Sequence, residues 1–142
     1  MTVLIADTSG LYTFLDADAP EHGACRKAVA TASHLVVSPL VLAELDYLLS
    51  TRIGPGAAEA ALAHVRDQAA VRRYAVPEVE PHLSTALVTM RRYPQIGLTD
   101  TMNVVMAAEY RTDAILTLDR RHFRMVRPLT GHTAFRLWPD DL

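Results

Sequence analysis

Four carboxylates stand at points in this chain from which they could act together. Asp7 directly follows the apolar run Val3-Leu-Ile-Ala, and Asp119 closely follows Ala114-Ile-Leu-Thr. Asp100 lies within Leu98-Thr-Asp-Thr, and Glu44 within Val41-Leu-Ala-Glu-Leu. Carboxylates brought close together do not all stay ionised without a cation, because each charge raises the pKa of the others. A hard divalent ion resolves the conflict. Mg²⁺ or Mn²⁺ prefers oxygen ligands, keeps several waters and binds phosphate oxygens. The chemistry that such a cluster supports is metal-assisted phosphoryl transfer.

The elements around the acids predict how they would meet. Val3–Ala6, His34–Val37, Arg73–Val76 and Ala114–Thr117 read as strands, and Met125-Val126 and Ala134–Leu137 as two further candidates. Helices are expected from Leu11, from Pro20, from Ser38-Pro39, over Ala57–Ala70, from Glu80-Pro81 to Met90 and from Gly97 to Tyr110. Ser38 is a natural N-cap and Pro39 a natural first helical residue. Strands alternating with helices of this length mean βαβ units and a parallel sheet. The strands are continuous apolar runs, as expected where both sheet faces are covered. The expectation is one α/β domain over residues 1–142 with a central parallel sheet. Open α/β sheets bind ligands beyond the carboxyl ends of their strands, which is where the acids fall.

Each acid also has an ordinary structural reading. Asp7 and Asp100 could be helix N-caps, and Asp119 a turn residue before Arg120-Arg121. Glu44 is set among Val41, Leu42, Leu45, Leu48 and Leu49, a context in which a buried carboxylate needs a partner. The recurrence of all four at equivalent points favours a joint role.

The residues carry a resemblance at this point. The chain resembles the PIN-domain ribonucleases of the VapC toxin type over nearly its whole length. Four segments carry it in order: Val3-Leu-Ile-Ala-Asp7-Thr-Ser, Ser38-Pro-Leu-Val-Leu-Ala-Glu44-Leu, Gly97-Leu-Thr-Asp100 and Ile115-Leu-Thr-Leu-Asp119-Arg-Arg-His-Phe123. The acids are spaced 37, 56 and 19 residues apart. The resemblance implies a three-layer α/β/α sandwich and a pocket of Asp7, Glu44, Asp100 and Asp119 that binds Mg²⁺ or Mn²⁺. It implies endonucleolytic cleavage of RNA by a metal-activated water, leaving a 5′-phosphate and a 3′-hydroxyl. It also implies a homodimer and a small VapB-type antitoxin. Thr8 or Ser9, Thr117 and Asn103 would orient carboxylates or waters. Where family members often carry another acid behind the fourth one, this chain has Arg120, Arg121 and His122.

Arg120, Arg121 and Arg124, with Arg127 just beyond, are the expected RNA contacts, since the guanidinium fork suits phosphate. Arg91-Arg92 fits a helix C-terminus without a ligand. The six histidines show no metal-ligand spacing. Lys27 is the only lysine, and the other thirteen bases are arginines. Response-regulator receivers and haloacid-type phosphatases also place an Asp after their first strand, but each uses a basic residue, usually Lys, that is missing here. A module that binds RNA or protein without cutting is the other reading, and the intact acidic quartet weighs against it.

Composition sets the outer bounds. Half of the residues are hydrophobic and 21% are charged, the profile of a folded globular protein rather than a disordered chain. The single cysteine, Cys25, excludes an intrachain disulfide and suits a buried position in a reducing cytoplasm. No apolar run reaches the ~18 residues of a membrane span. The formal charge of −2 seems to disfavour nucleic acid. Without the four proposed pocket acids, 12 acids face 14 bases, so the net charge reflects the pocket more than the surface.

Overall fold

The apolar runs form strands because each carries side chains for both faces of one sheet. In a computed structural model of residues 1–142, β1 (Val3–Ala6), β2 (His34–Val37), β3 (Tyr74–Ala75), β4 (Ala114–Leu116) and β5 (Arg136–Trp138) build a five-stranded sheet. Its order is β3-β2-β1-β4-β5 and every pairing is parallel. Alternation within β1 sends Leu4 and Ala6 into one core and Ile5 into the other.

The first core packs Leu4, Ala6, Leu35, Val37 and Leu116 against α1 (Thr8–Leu15), α2 (His22–Thr31), α3 (Pro39–Arg52) and α4 (Pro55–Ala70). The second packs Ile5, Val36, Ile115 and Leu137 against α5 (Leu83–Arg92), α6 (Leu98–Glu109) and α7 (Arg120–Arg124). A short 3₁₀ turn at Glu80–His82 leads into α5. The result is the expected α/β/α sandwich.

Ser38 caps α3, accepting from the Leu40 N–H at 3.1 Å, with Pro39 as first helical residue. Two expectations change. Met125-Val126 is not a strand but the turn that leaves α7, and Val126 is buried beside Phe123 and Phe135. A two-residue apolar stretch is too short to distinguish a strand from a helix exit. The last strand lies at Arg136–Trp138 rather than Ala134–Leu137, and Phe135 turns into the core just before it.

The strand order reverses direction between β1 and β4. Such a switch point opens a crevice beyond the carboxyl ends of the two strands. Asp7 follows β1 there, and Thr117 to Asp119 follow β4.

Candidate active site

The crevice is a cavity of about 530 Å³ lined by Asp7, Thr8, Ser9, Tyr12, Thr13, Glu44, Leu48, Arg52, Asp100, Leu118, Asp119 and His122. All four expected acids reach it. A smaller, mostly apolar cavity of about 280 Å³ lies between α3 and α4 and is lined by none of the four expected acids.

Asp7 is the innermost acid, 4% exposed. It stands at the N-cap position of α1, yet its side chain makes no capping bond. Its carboxylate accepts instead from the hydroxyl of Thr117 at 2.8 Å, that of Ser9 at 3.3 Å and Nδ2 of Asn103 at 3.3 Å. Thr117 and Ser9 are themselves fixed, accepting from the N–H groups of Asp119 and Leu118. Ser9, Thr117 and Asn103 thus contact this carboxylate, whereas Thr8 contacts Glu44 instead. Burial pushes the Asp7 carboxyl up, and Asp119 adds to the shift against the hydrogen bonds from Thr117 and Ser9.

Asp100 is in the first turn of α6, whose N-cap is Gly97, so it is not the cap. Its pKa is pushed up to about 6, first by burial and then by the charges of Asp7 and Asp119. Asp119 caps α7, accepting from the His122 N–H at 3.2 Å, while its other oxygen lies 2.9 Å from His122 Nδ1. Its ordinary capping role and its place in the cavity therefore coexist. His122 Nδ1 is also 3.2 Å from Asp100. One ligand atom each from Asp100, Asp119 and His122 fall within 4.8 Å of one another.

Glu44 departs from expectation. It is exposed rather than buried, because α3 carries it past the edge of the core beside exposed Ala43 and Tyr47. Its carboxylate is nevertheless held, by Thr8 at 2.7 Å and Thr99 at 2.9 Å. These hydroxyls adjoin Asp7 and Asp100 in sequence, so Glu44 is tied to both of those acids.

The donor set suits a hard divalent cation. It consists of carboxylates with one imidazole, partly buried, and the neighbouring charges add to the raised pKa of Asp7 and of Asp100. The Oδ1 of Asn103 is buried without a protein partner.

The expected RNA-binding arginines divide. Arg120 is locked by Asp140 and by Glu21 at 3.1 Å, and Arg124 by Asp141 at 2.8 Å. Arg121 is exposed and makes no ion pair. The sequence did not bring forward Thr99 or Arg52, and named His122 only among the residues that follow Asp119. Only His122 had a legible signal, as the third residue after Asp119 on a helix. Arg52 is 45 residues from Asp7 and reaches the cavity through the packing of α3 on α1.

A doubly covered parallel sheet with a carboxylate cavity at its switch point defines an α/β protein whose acids could hold a cation. The sequence comparisons place it within that class: the chain belongs to the PIN domain family, whose sequence profile matches residues 4–128. It is 43% identical over 133 residues to ribonuclease VapC26 of Mycobacterium tuberculosis, covering 90% of this chain and 95% of that one. In fold it is similar to the crystal structure of VapC20 from the same organism, described as a sarcin-ricin loop cleaving toxin. That match has a TM-score of 0.73 at 21% identity, over 84% of this chain and 92% of the other.

Proposed function

We propose that this chain is a metal-dependent endoribonuclease, the toxin of a VapBC-type toxin–antitoxin pair. One observation carries the reading: Asp7, Asp100, Asp119 and His122 converge in a single cavity, in a chain 43% identical to a ribonuclease. Asp7, Asp100 and Asp119, with Glu44 at the rim, are the residues to hold Mg²⁺ or Mn²⁺, and His122 offers a nitrogen beside them. When bound, the cation supplies Lewis acidity toward a phosphate oxygen and lowers the pKa of a coordinated water.

The protein's own part is to fix the carboxylates. Thr117, Ser9 and Asn103 hold Asp7 in one orientation, while Thr8 and Thr99 hold Glu44. Preorganised acids of this kind need no rearrangement as charge develops on the phosphate. Exposed Leu83, Leu87 and Val88 on α5, and Leu62 at the α3–α4 cavity, support a homodimer and an antitoxin contact. No helix is long and apolar enough to cross a membrane.

The test is RNA cleavage by purified protein. Asp7→Asn and Asp100→Asn are each expected to cut at least ~100-fold more slowly in Mg²⁺ or Mn²⁺, in line with the loss of a group that acts on the developing charge. Wild-type rates from either folded variant would refute the assignment. Binding of Mg²⁺ without cleavage of any RNA would favour the non-cutting module.

A further inference from the structure

Acids dominate the cavity, and a polyanionic substrate must still enter it. Arg52 is the only arginine that lines it. It is the last residue of α3, and its guanidinium lies 5.3 Å from the ring centroid of Tyr12, which lines the same wall from α1. Arg52 forms no ion pair, although four carboxylates share the cavity with it. Arg120 and Arg124, closer in sequence to Asp119, are already engaged by Asp140 and Asp141.

We infer that Arg52, held over the Tyr12 ring, binds an RNA phosphate adjacent to the one at the acidic cluster. The inference rests on the ribonuclease reading and adds to it the wall along which the strand lies. The physical reasons are three. A guanidinium pairs with phosphate through two parallel N–H donors. Stacking over Tyr12 holds a long, flexible side chain in place, so less entropy is lost when it binds. A single cation on one wall gives a polyanion a favourable approach that the acids alone would deny. The Tyr12–Arg52 wall is formed by α1 and α3, so the strand runs from the acids toward those helices.

The experiment measures binding of a single-stranded oligoribonucleotide, of a sequence that the wild type cuts, to the full chain carrying Asp7→Asn so that it is not consumed. Adding Arg52→Ala is expected to weaken binding roughly 5- to 20-fold. The slope of log affinity against log salt should shrink by about 0.7, the signature of one lost contact on single-stranded nucleic acid. Arg52→Lys should recover part of the affinity, and Arg66→Ala, on the exposed face of α4, should leave it unchanged. In the otherwise wild-type chain, Arg52→Ala should act mainly on KM. A merely structural role would lower Tm without changing the salt slope. If the wild type cuts RNA but Arg52→Ala keeps both affinity and slope, the inference is wrong and the ribonuclease reading stands. If the wild type cuts no RNA and the Asp7→Asn chain binds none, both fall together.

Discussion

Asp7 occupies the position of a helix cap and caps nothing, because its oxygens are engaged by Thr117, Ser9 and Asn103. Holding a buried carboxylate this way has a cost that the metal-free protein must bear. The Asp100 carboxyl is pushed up to about 6 by burial and by Asp7 and Asp119. A carboxyl raised on folding contributes stability that is fully present below its unfolded pKa of about 3.9. That contribution is lost as the pH rises through the folded value. Metal-free protein should therefore lose on the order of 1–3 kcal/mol of stability between acid and neutral pH from this group. Asp100→Asn should raise the metal-free Tm at pH 7.5 by roughly 3–8 °C and leave it nearly unchanged at pH 4. Thermal melts of EDTA-treated protein at both pH values check this, and a lower Tm for the variant at pH 7.5 would count against the crowded-charge account. Asp7, Asp100 and Asp119 were legible in the sequence because Asp7 directly follows a strand, Asp119 closely follows one and Asp100 stands at the start of a helix. The exposure of Glu44 and the arrival of Arg52 were not, since both depend on how α3 packs against α1.

At the scale of elements, the close approach of α1 to β4 brings the two carboxyl ends together. A Cβ on Gly10 would lie 2.3 Å from the Leu116 carbonyl oxygen, which already accepts from the Asp7 N–H at 3.0 Å. That contact is backbone and cannot step aside. Gly10→Ala should cost about 3 kcal/mol, at the upper end of overpacking penalties. The corresponding fall in Tm is roughly 10 °C, measurable by calorimetry. A variant as stable as wild type would show that α1 is free to shift. Helix α7 is secured differently, by Arg120 and Arg124 on the acids of the C-terminal turn. The alternation of strands and helices was legible because buried parallel strands are unbroken apolar runs. The exit of α7 was not, because Met125-Val126 is too short to declare its period, and its place is set by Val126 packing near Phe123 and Phe135.

Taken whole, the molecule reconciles a net charge of −2 with the proposed RNA substrate by separating its charges. The acids converge at the switch point between β1 and β4, several arginines are paired elsewhere on the surface, and Arg52 stays unpaired at the cavity wall. The sheet order itself lay beyond the sequence, since no local pattern says which strand neighbours β1. Yet the switch point follows from that order and explains why acids far apart in the chain share one cavity. In the proposed function this cavity cuts RNA with water rather than with the ribose 2′-hydroxyl. The direct measurement is the chemistry of the ends left on RNA fragments after digestion with the purified chain in Mg²⁺ or Mn²⁺, read by ligation and sequencing against an Asp7→Asn control. Fragments with 5′-phosphate and 3′-hydroxyl ends, absent with the control and with EDTA, are the predicted result; 2′,3′-cyclic phosphates with 5′-hydroxyl ends, or cleavage that persists in EDTA, would contradict it.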